Sequence, residues 1–419
     1  MKYRLRKYLN PFELNLKFKS ISDFFLKISV VLFVVVAATF STSGYMRPTA
    51  LILISATLFQ GVPKIINALK SYPPELKCLN IWLVWSFLTG VLVAENMQFF
   101  MSSLESVTLV VVIVNVIFVI VKINPQTINF ILIAVLSSAI IHYVAMNYGF
   151  VSEDDAYLRD RAQGLANNPN TLGVRSVYSA YALLLTIPTL LLWKSKKSLL
   201  SFVLLSIVFS LILATGSKKS AVAFFVLLFG FMGLHLSNTQ QRISLIRIIV
   251  ISFISIFSIQ YIFPILIEGT VLEQRFIYLE EKGGLTGDVR FLMVTFGWDL
   301  FSDNPFFGVG FDNYRHHAPF KMYSHNDFIE SLTSTGLIGF VLYQIFWVII
   351  LIRTYKLIKI AKNNENRFYL GMIIIGTITL KVIGLGQILY LQPVAMIILA
   401  TLSAYTWHLY KNNDILKNI

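Results

Sequence analysis

Apolar residues run along nearly the whole chain in stretches of spanning length, separated by short polar connections. A bilayer core needs about 20 apolar residues per helix. On that measure the pattern predicts twelve spans, near 28–43, 48–63, 79–94, 106–121, 128–147, 173–193, 198–214, 219–236, 246–266, 336–352, 369–388 and 393–410. The expected architecture is an all-α polytopic membrane protein with one large extracytoplasmic loop. Two segments break the rhythm: a short turn-rich loop at 148–172 and a long one at 267–335.

The long loop is rich in Phe, Tyr, Trp and Gly and lacks the polar composition of disorder, so it is expected to fold against the membrane. Within it, 288–303 reads as a helix, with Phe291, Leu292, Phe296, Trp298 and Leu300 as an apolar side suited to the bilayer interface. Asn304-Pro305 ends that helix, and Gly308-Val309-Gly310 follows as a tight connection.

Composition agrees with this pattern. At 56% hydrophobic, 13% charged and a mean hydropathy of +0.71, the 419 residues lie outside the range of soluble domains. The apolar content is spread over many spans, which argues against a single anchor or a cleaved leader, and residues 1–27 are expected to remain as a basic cytoplasmic tail. A single cysteine, Cys78, rules out an internal disulfide framework and a Cys-based metal cluster.

The net charge of +14 is explained by topology. With the N-terminus inside, 23 of the 35 Lys and Arg fall in cytoplasmic segments, as positive loops should. That orientation puts spans one to nine in 28–266, the last three in 336–410, a second cytoplasmic tail at 411–419, and both polar loops outside. Nucleic acid is not an expected partner. The long loop is itself acidic, with ten carboxylates against five Lys and Arg, so an anion site there must be built from a few placed cations.

Candidate chemistry gathers at the outer face. His325-Asn326 precedes Gly336-Leu337-Ile338-Gly339 where the long loop re-enters the membrane. A neutral imidazole there could take a proton from a hydroxyl, or the pair could simply cap a helix. Arg290 could bind a diphosphate through paired hydrogen bonds or could form a salt bridge within the acidic loop. In the shorter loop stand Arg159, Arg161 and Gly164, with Arg175 just inside the sixth span, either snorkelling or functional. Thr215-Gly216-Ser217-Lys218-Lys219 puts two cations on the outer side against the charge trend, which an anionic ligand would explain. Lys381 lies inside a span, as an ion-path residue or half of a structural pair. No His-Glu-x-x-His and no Walker-type glycine loop occurs, so neither metal, nucleotide nor other cofactor is expected.

Two stretches, RFLMVTFGWDLFSDNPFFGVGFDNY from Arg290 to Tyr314 and SHNDFIESLTSTGLIGF from Ser324 to Phe340, give the chain a family likeness. RAQGLANNPNTLG from Arg161 to Gly173 and TGSKKSA from Thr215 to Ala221 add to it. Together they resemble the O-antigen ligase and polymerase superfamily of bacterial envelope glycosyltransferases. The resemblance implies a glycosyltransferase C-like membrane enzyme that moves a glycan, without a metal, from undecaprenyl pyrophosphate to an acceptor hydroxyl at the periplasmic face of the inner membrane.

By position, His325 would activate the acceptor hydroxyl and Arg290 would hold the pyrophosphate. Arg161, Arg175 and Lys218 would contact phosphate or lipid headgroups, with Asn326 in the substrate site. At Lys218-Lys219 many relatives have Ser-Arg-Gly, so the charge is kept and the forked geometry of Arg is lost. The implied acceptor is the lipid A core for a ligase, or a growing glycan for a polymerase. A polysaccharide flippase would have a similar span count, but polar residues concentrated in one outer loop, without matched halves, argue against it.

Overall fold

The computed structural model describes residues 20–40, 43–148, 162–166, 168–186, 196–237, 262–281 and 289–412. Among these the chain is helical throughout, with no strand. The helices are α1 (Ile21–Thr39), α2 (Ser43–Leu58), α3 (Val62–Lys70), α4 (Pro74–Val93), α5 (Met97–Ile123) and α6 (Thr127–Asn147) in the first part. Then come α7 (Pro169–Thr186), α8 (Lys196–Thr215), α9 (Lys218–Ser237), α10 (Phe263–Ile267), α11 (Val271–Glu281), α12 (Val289–Asp303) and α13 (Tyr314–His317). The chain closes with α14 (Asp327–Ile360), α15 (Asn364–Gly384) and α16 (Pro393–Lys411).

By length and hydropathy, seven of the described helices can cross a membrane, or eight if the bent pair α2–α3 counts as one span. The chain is a multi-pass membrane protein. Helices α7 and α16 sit where the sixth and twelfth spans were expected but are not among the seven. The described part of α7 ends at Thr186, with 187–193 of the sixth expected span outside the described residues; within what is described, α7 is buried at every residue from Leu172 to Thr186, and α16 from Val394 to Thr406. A helix enclosed by other helices has no lipid-facing side to keep apolar, and both carry buried Ser and Thr. The outer helices show the opposite arrangement, with exposed Phe25, Leu51, Val84, Leu92 and Phe202.

Three expectations are adjusted. The second span stops at Leu58 and the chain turns by 94° into α3, at a break marked by Gly61 and Pro63. The tenth helix begins at Asp327, nine residues ahead of 336, because Asn326 caps it: its Oδ1 accepts from the amides of Phe328 at 2.9 Å and Ile329 at 3.2 Å. Of the ninth expected span, 246–261 lies outside the described residues, and only α10 at its end is seen.

The bundle's two ends differ in chemistry. At one end are buried pairs: Lys27 with Asp23 at 2.8 Å, and Arg353 with Glu75 at 2.5 Å. The other end gathers the close of α1, the α4–α5 connection, the α8–α9 turn, the start of α14 and the 385–392 connection. It also carries the segment 304–326.

Candidate functional site

Helix α14 breaks at Gly336, whose φ of 64° and ψ of −175° are open to glycine and costly for other residues. The break releases backbone groups that must find partners away from water. Val309 N–H donates to Thr333 O at 2.8 Å, Gly310 N–H to Ser334 O at 3.0 Å, Trp85 Nε1 to Thr335 O at 3.0 Å, and Leu337 N–H to Pro305 O at 2.8 Å. The 305–310 segment is thus stitched to the break by main-chain bonds. Such contact leaves no room for a side chain: a Cβ on Gly308 would lie 2.3 Å from Thr333 O, and one on Gly336 would lie 2.1 Å from Phe306 O. The Gly-x-Gly block and the glycine after His-Asn therefore serve one backbone crossing.

This crossing holds a loop whose end carries His325. The imidazole sits at a φ of 55° and packs against Tyr323, ring centroids 4.1 Å apart. The loop is pinned from below, where the buried Glu330 carboxylate accepts from Ser324 N–H at 2.8 Å. Burial first, then the positive charges of Arg290 and Lys219, push the His325 imidazole down to about 4. Arg290, in the first turn of α12, also acts on Tyr323, whose phenol is raised by burial and by Glu330. The structure thus brings Arg290 and His325 to one place at one end of the bundle.

Lys219 is the second of the two cations in the Thr215–Lys219 stretch, of which the resemblance carries only Lys218 to the site. At the start of α9 its Nζ donates to Gly386 O at 2.7 Å and Gln387 Oε1 at 3.1 Å. Lys218, one residue earlier, is half-buried like Lys219. Spacing alone could not separate them; what separates them is the face of α9 that packs on α15.

The 385–392 connection is a further part of the site. Asn326 Nδ2 donates to Leu385 O at 3.4 Å, and the buried Asp327 accepts from Leu389 N–H at 2.8 Å. Asp327 also pairs with Lys381 at 3.2 Å, so of the two readings of Lys381 the geometry gives a structural pair. Arg175 Nη1 and Nη2 donate to Thr39 O at 2.7 Å and Phe40 O at 2.9 Å, closing the end of α1. Arg161 lies outside the described residues.

Beside Tyr323 is a cavity of about 190 Å³ whose lining includes Asp312, Arg315, Glu330 and Tyr390. Its floor is an aromatic cluster in which Trp82 meets Tyr343, Tyr390 and Phe311 at 5.0, 5.3 and 5.6 Å. Among the described residues no three His, Cys, Asp or Glu are placed to hold a metal ion.

Fold and site together define a polytopic α-helical membrane protein with an imidazole and two cations that act on it at one end of its bundle. Residues 171–344, which include most of α7, all of α9, Arg290 and His325, match the family described as O-antigen ligase, which supports the likeness to the O-antigen ligase and polymerase superfamily. This is a family of enzymes that use a lipid-linked glycan donor and a glycan acceptor. No curated protein matches the chain.

Proposed function

We propose that this protein transfers a glycan from undecaprenyl pyrophosphate to an acceptor hydroxyl at the periplasmic face of the inner membrane, with His325 as base and Arg290 and Lys219 on the diphosphate. The observation that carries the reading is the meeting of an unprotonated imidazole with two cations. The acceptor oxygen attacks the anomeric carbon as its proton passes to His325. The bond from that carbon to the diphosphate oxygen breaks, and the electron pair leaves with the lipid diphosphate. Diphosphate is a good leaving group, and fixed cations where its charge develops lower the barrier with no metal needed. A single displacement of this kind inverts the anomeric centre.

The same cations explain why the base can work. A free imidazole near 4 is a weak base. Burial, the larger cause, stays in place, but a bound diphosphate offsets the charges that add to it, so donor binding raises its basicity when the base is needed. Arg161, Arg175 and Lys218 remain proposed phosphate or headgroup contacts, with Arg175 acting from its seat on α1, and Asn326 supports the site through the helix it caps.

Transfer to the lipid A core is the leading reading, and extension of a second lipid-linked unit is the alternative with the same donor chemistry. The test is reconstitution in proteoliposomes with purified lipid-linked donor and each acceptor in turn. His325→Ala should lower turnover by at least about 100-fold, the contribution of a general base. Undiminished turnover in that variant would defeat the mechanism, and the acceptor the wild type uses decides between ligase and polymerase.

A further inference from the structure

Tyr323 touches two features of the site. On one side its ring packs at a tilt against His325, on which Arg290 and Lys219 act. On the other it lines the 190 Å³ cavity with Asp312 and Glu330. We infer that this cavity seats one uncharged sugar ring of the acceptor, next to the base and apart from the diphosphate. The inference rests on the transferase reading given above.

The lining selects the ligand. A diphosphate would face the Asp312 carboxylate, and like charges repel where water is scarce. A metal ion lacks a third ligand among the described residues. A hydroxyl-rich ring suits every group present. Carboxylate oxygens only accept hydrogen bonds and so match sugar O–H donors. Arg315 supplies the opposite polarity: one of its amino groups pairs with Asp312 at 2.6 Å, while its buried Nε donates to no acceptor among the described residues. The Phe311 and Tyr390 rings offer apolar surfaces for the C–H face of a pyranose.

Size agrees. A cavity of about 190 Å³ has room for a single sugar ring. Leu391 also lines a second cavity, of about 310 Å³, whose lining includes Arg47 and Glu105.

Ser103 lines the cavity from α5, away from His325, and its hydroxyl bonds Asp312. Ser103→Phe should therefore fill the space while leaving the cation side intact. In proteoliposomes with undecaprenyl pyrophosphate-linked repeat unit as donor and whichever acceptor the wild type uses, initial rates are measured against each substrate separately. The expected result is an acceptor KM raised at least tenfold with the donor KM unchanged within twofold. An acceptor KM within twofold of wild type, or equal rises for both substrates, overturns the subsite. Asp312→Asn, which keeps the shape and removes the charge, should raise the acceptor KM in the same selective way, so the result does not depend on Ser103→Phe folding. If instead His325→Ala stays fully active while Ser103→Phe behaves as expected, the proposed base has failed and the seat stands. Absence of transfer by the wild type to any acceptor removes both.

Discussion

The pH dependence of transfer distinguishes this His325 from an ordinary surface imidazole. Burial and the charges of Arg290 and Lys219 hold it down to about 4 in the free protein. Its neutral form, the one that accepts a proton, therefore persists as pH falls through the range in which ordinary histidines charge. At pH 5.5 a histidine near 6.5 is about 10% neutral and one at 4 is about 97% neutral, roughly a tenfold difference in available base. Because kcat/KM reports the free enzyme, its acid limb should fall near pH 4. By contrast, kcat reports the bound complex, where the donor's negative charge offsets Arg290 and Lys219, so its acid limb should lie at higher pH. Lys219→Met removes one depressing charge and should move the kcat/KM limb up toward 6.5. The assay is initial-rate donor consumption in proteoliposomes from pH 4 to 8, with native fluorescence recorded at each pH to confirm the fold. A wild-type kcat/KM limb at 6.5, or limbs of kcat and kcat/KM that coincide, would refute the coupling between cations and base.

Three further variants test the scaffold. Lys381→Met leaves buried Asp327 without its partner and should cost about 3–5 kcal/mol, read as a lower Tm in detergent, with part recovered when Asp327→Asn is added. Unchanged Tm in the single variant would mean the pair contributes nothing. Gly308→Ala puts a methyl group 2.3 Å from a backbone oxygen at a φ of 70° and should cost about 2–5 kcal/mol and most of the activity, whereas Gly44→Ala, in open space on α2, should be neutral or slightly stabilising. Equal Tm values for the two would contradict the close crossing. Arg175→Met loses charged donors to Thr39 O and Phe40 O, worth about 1.5–3 kcal/mol each, so amide exchange in the last turn of α1 should accelerate. If the donor KM rises tenfold and exchange does not change, Arg175 acts on substrate and its role in closing α1 is secondary.

Hydropathy revealed the helices because burial in lipid and burial in protein both require apolar residues. For the same reason it could not tell α7 and α16, enclosed by protein, from helices that touch lipid. Asn304-Pro305 marked the end of α12 within a residue, since proline and its predecessor oppose helix for local reasons. The break at Gly336 was hidden because the apolar run continues through it, and a single glycine in such a run does not announce a 333–337 crossing with 305–310. His325 and Arg290 stood out through their placement in one loop and through the family resemblance. Tyr323, Asp312 and Glu330 did not, and Lys219 did not stand out from Lys218, because their relevance depends on which helix face meets α15 and which loop closes over Tyr323.

Charge is sorted by the fold more finely than by topology alone. The long loop is acidic overall, yet its carboxylates do not surround the base evenly: Asp312 and Glu330 lie toward the cavity, while Arg290 and Lys219 act on the imidazole. Lys219 comes from a helix over 100 residues earlier in the chain, and Asp327, the carboxylate nearest to His325 in sequence, is turned away and tied to Lys381 and Leu389. A carboxylate placed against His325 would raise its proton affinity and weaken any hold on diphosphate. Pairing Asp327 with Lys381 removes that competitor, so the ion pair below the site and the depressed imidazole within it are two results of one arrangement.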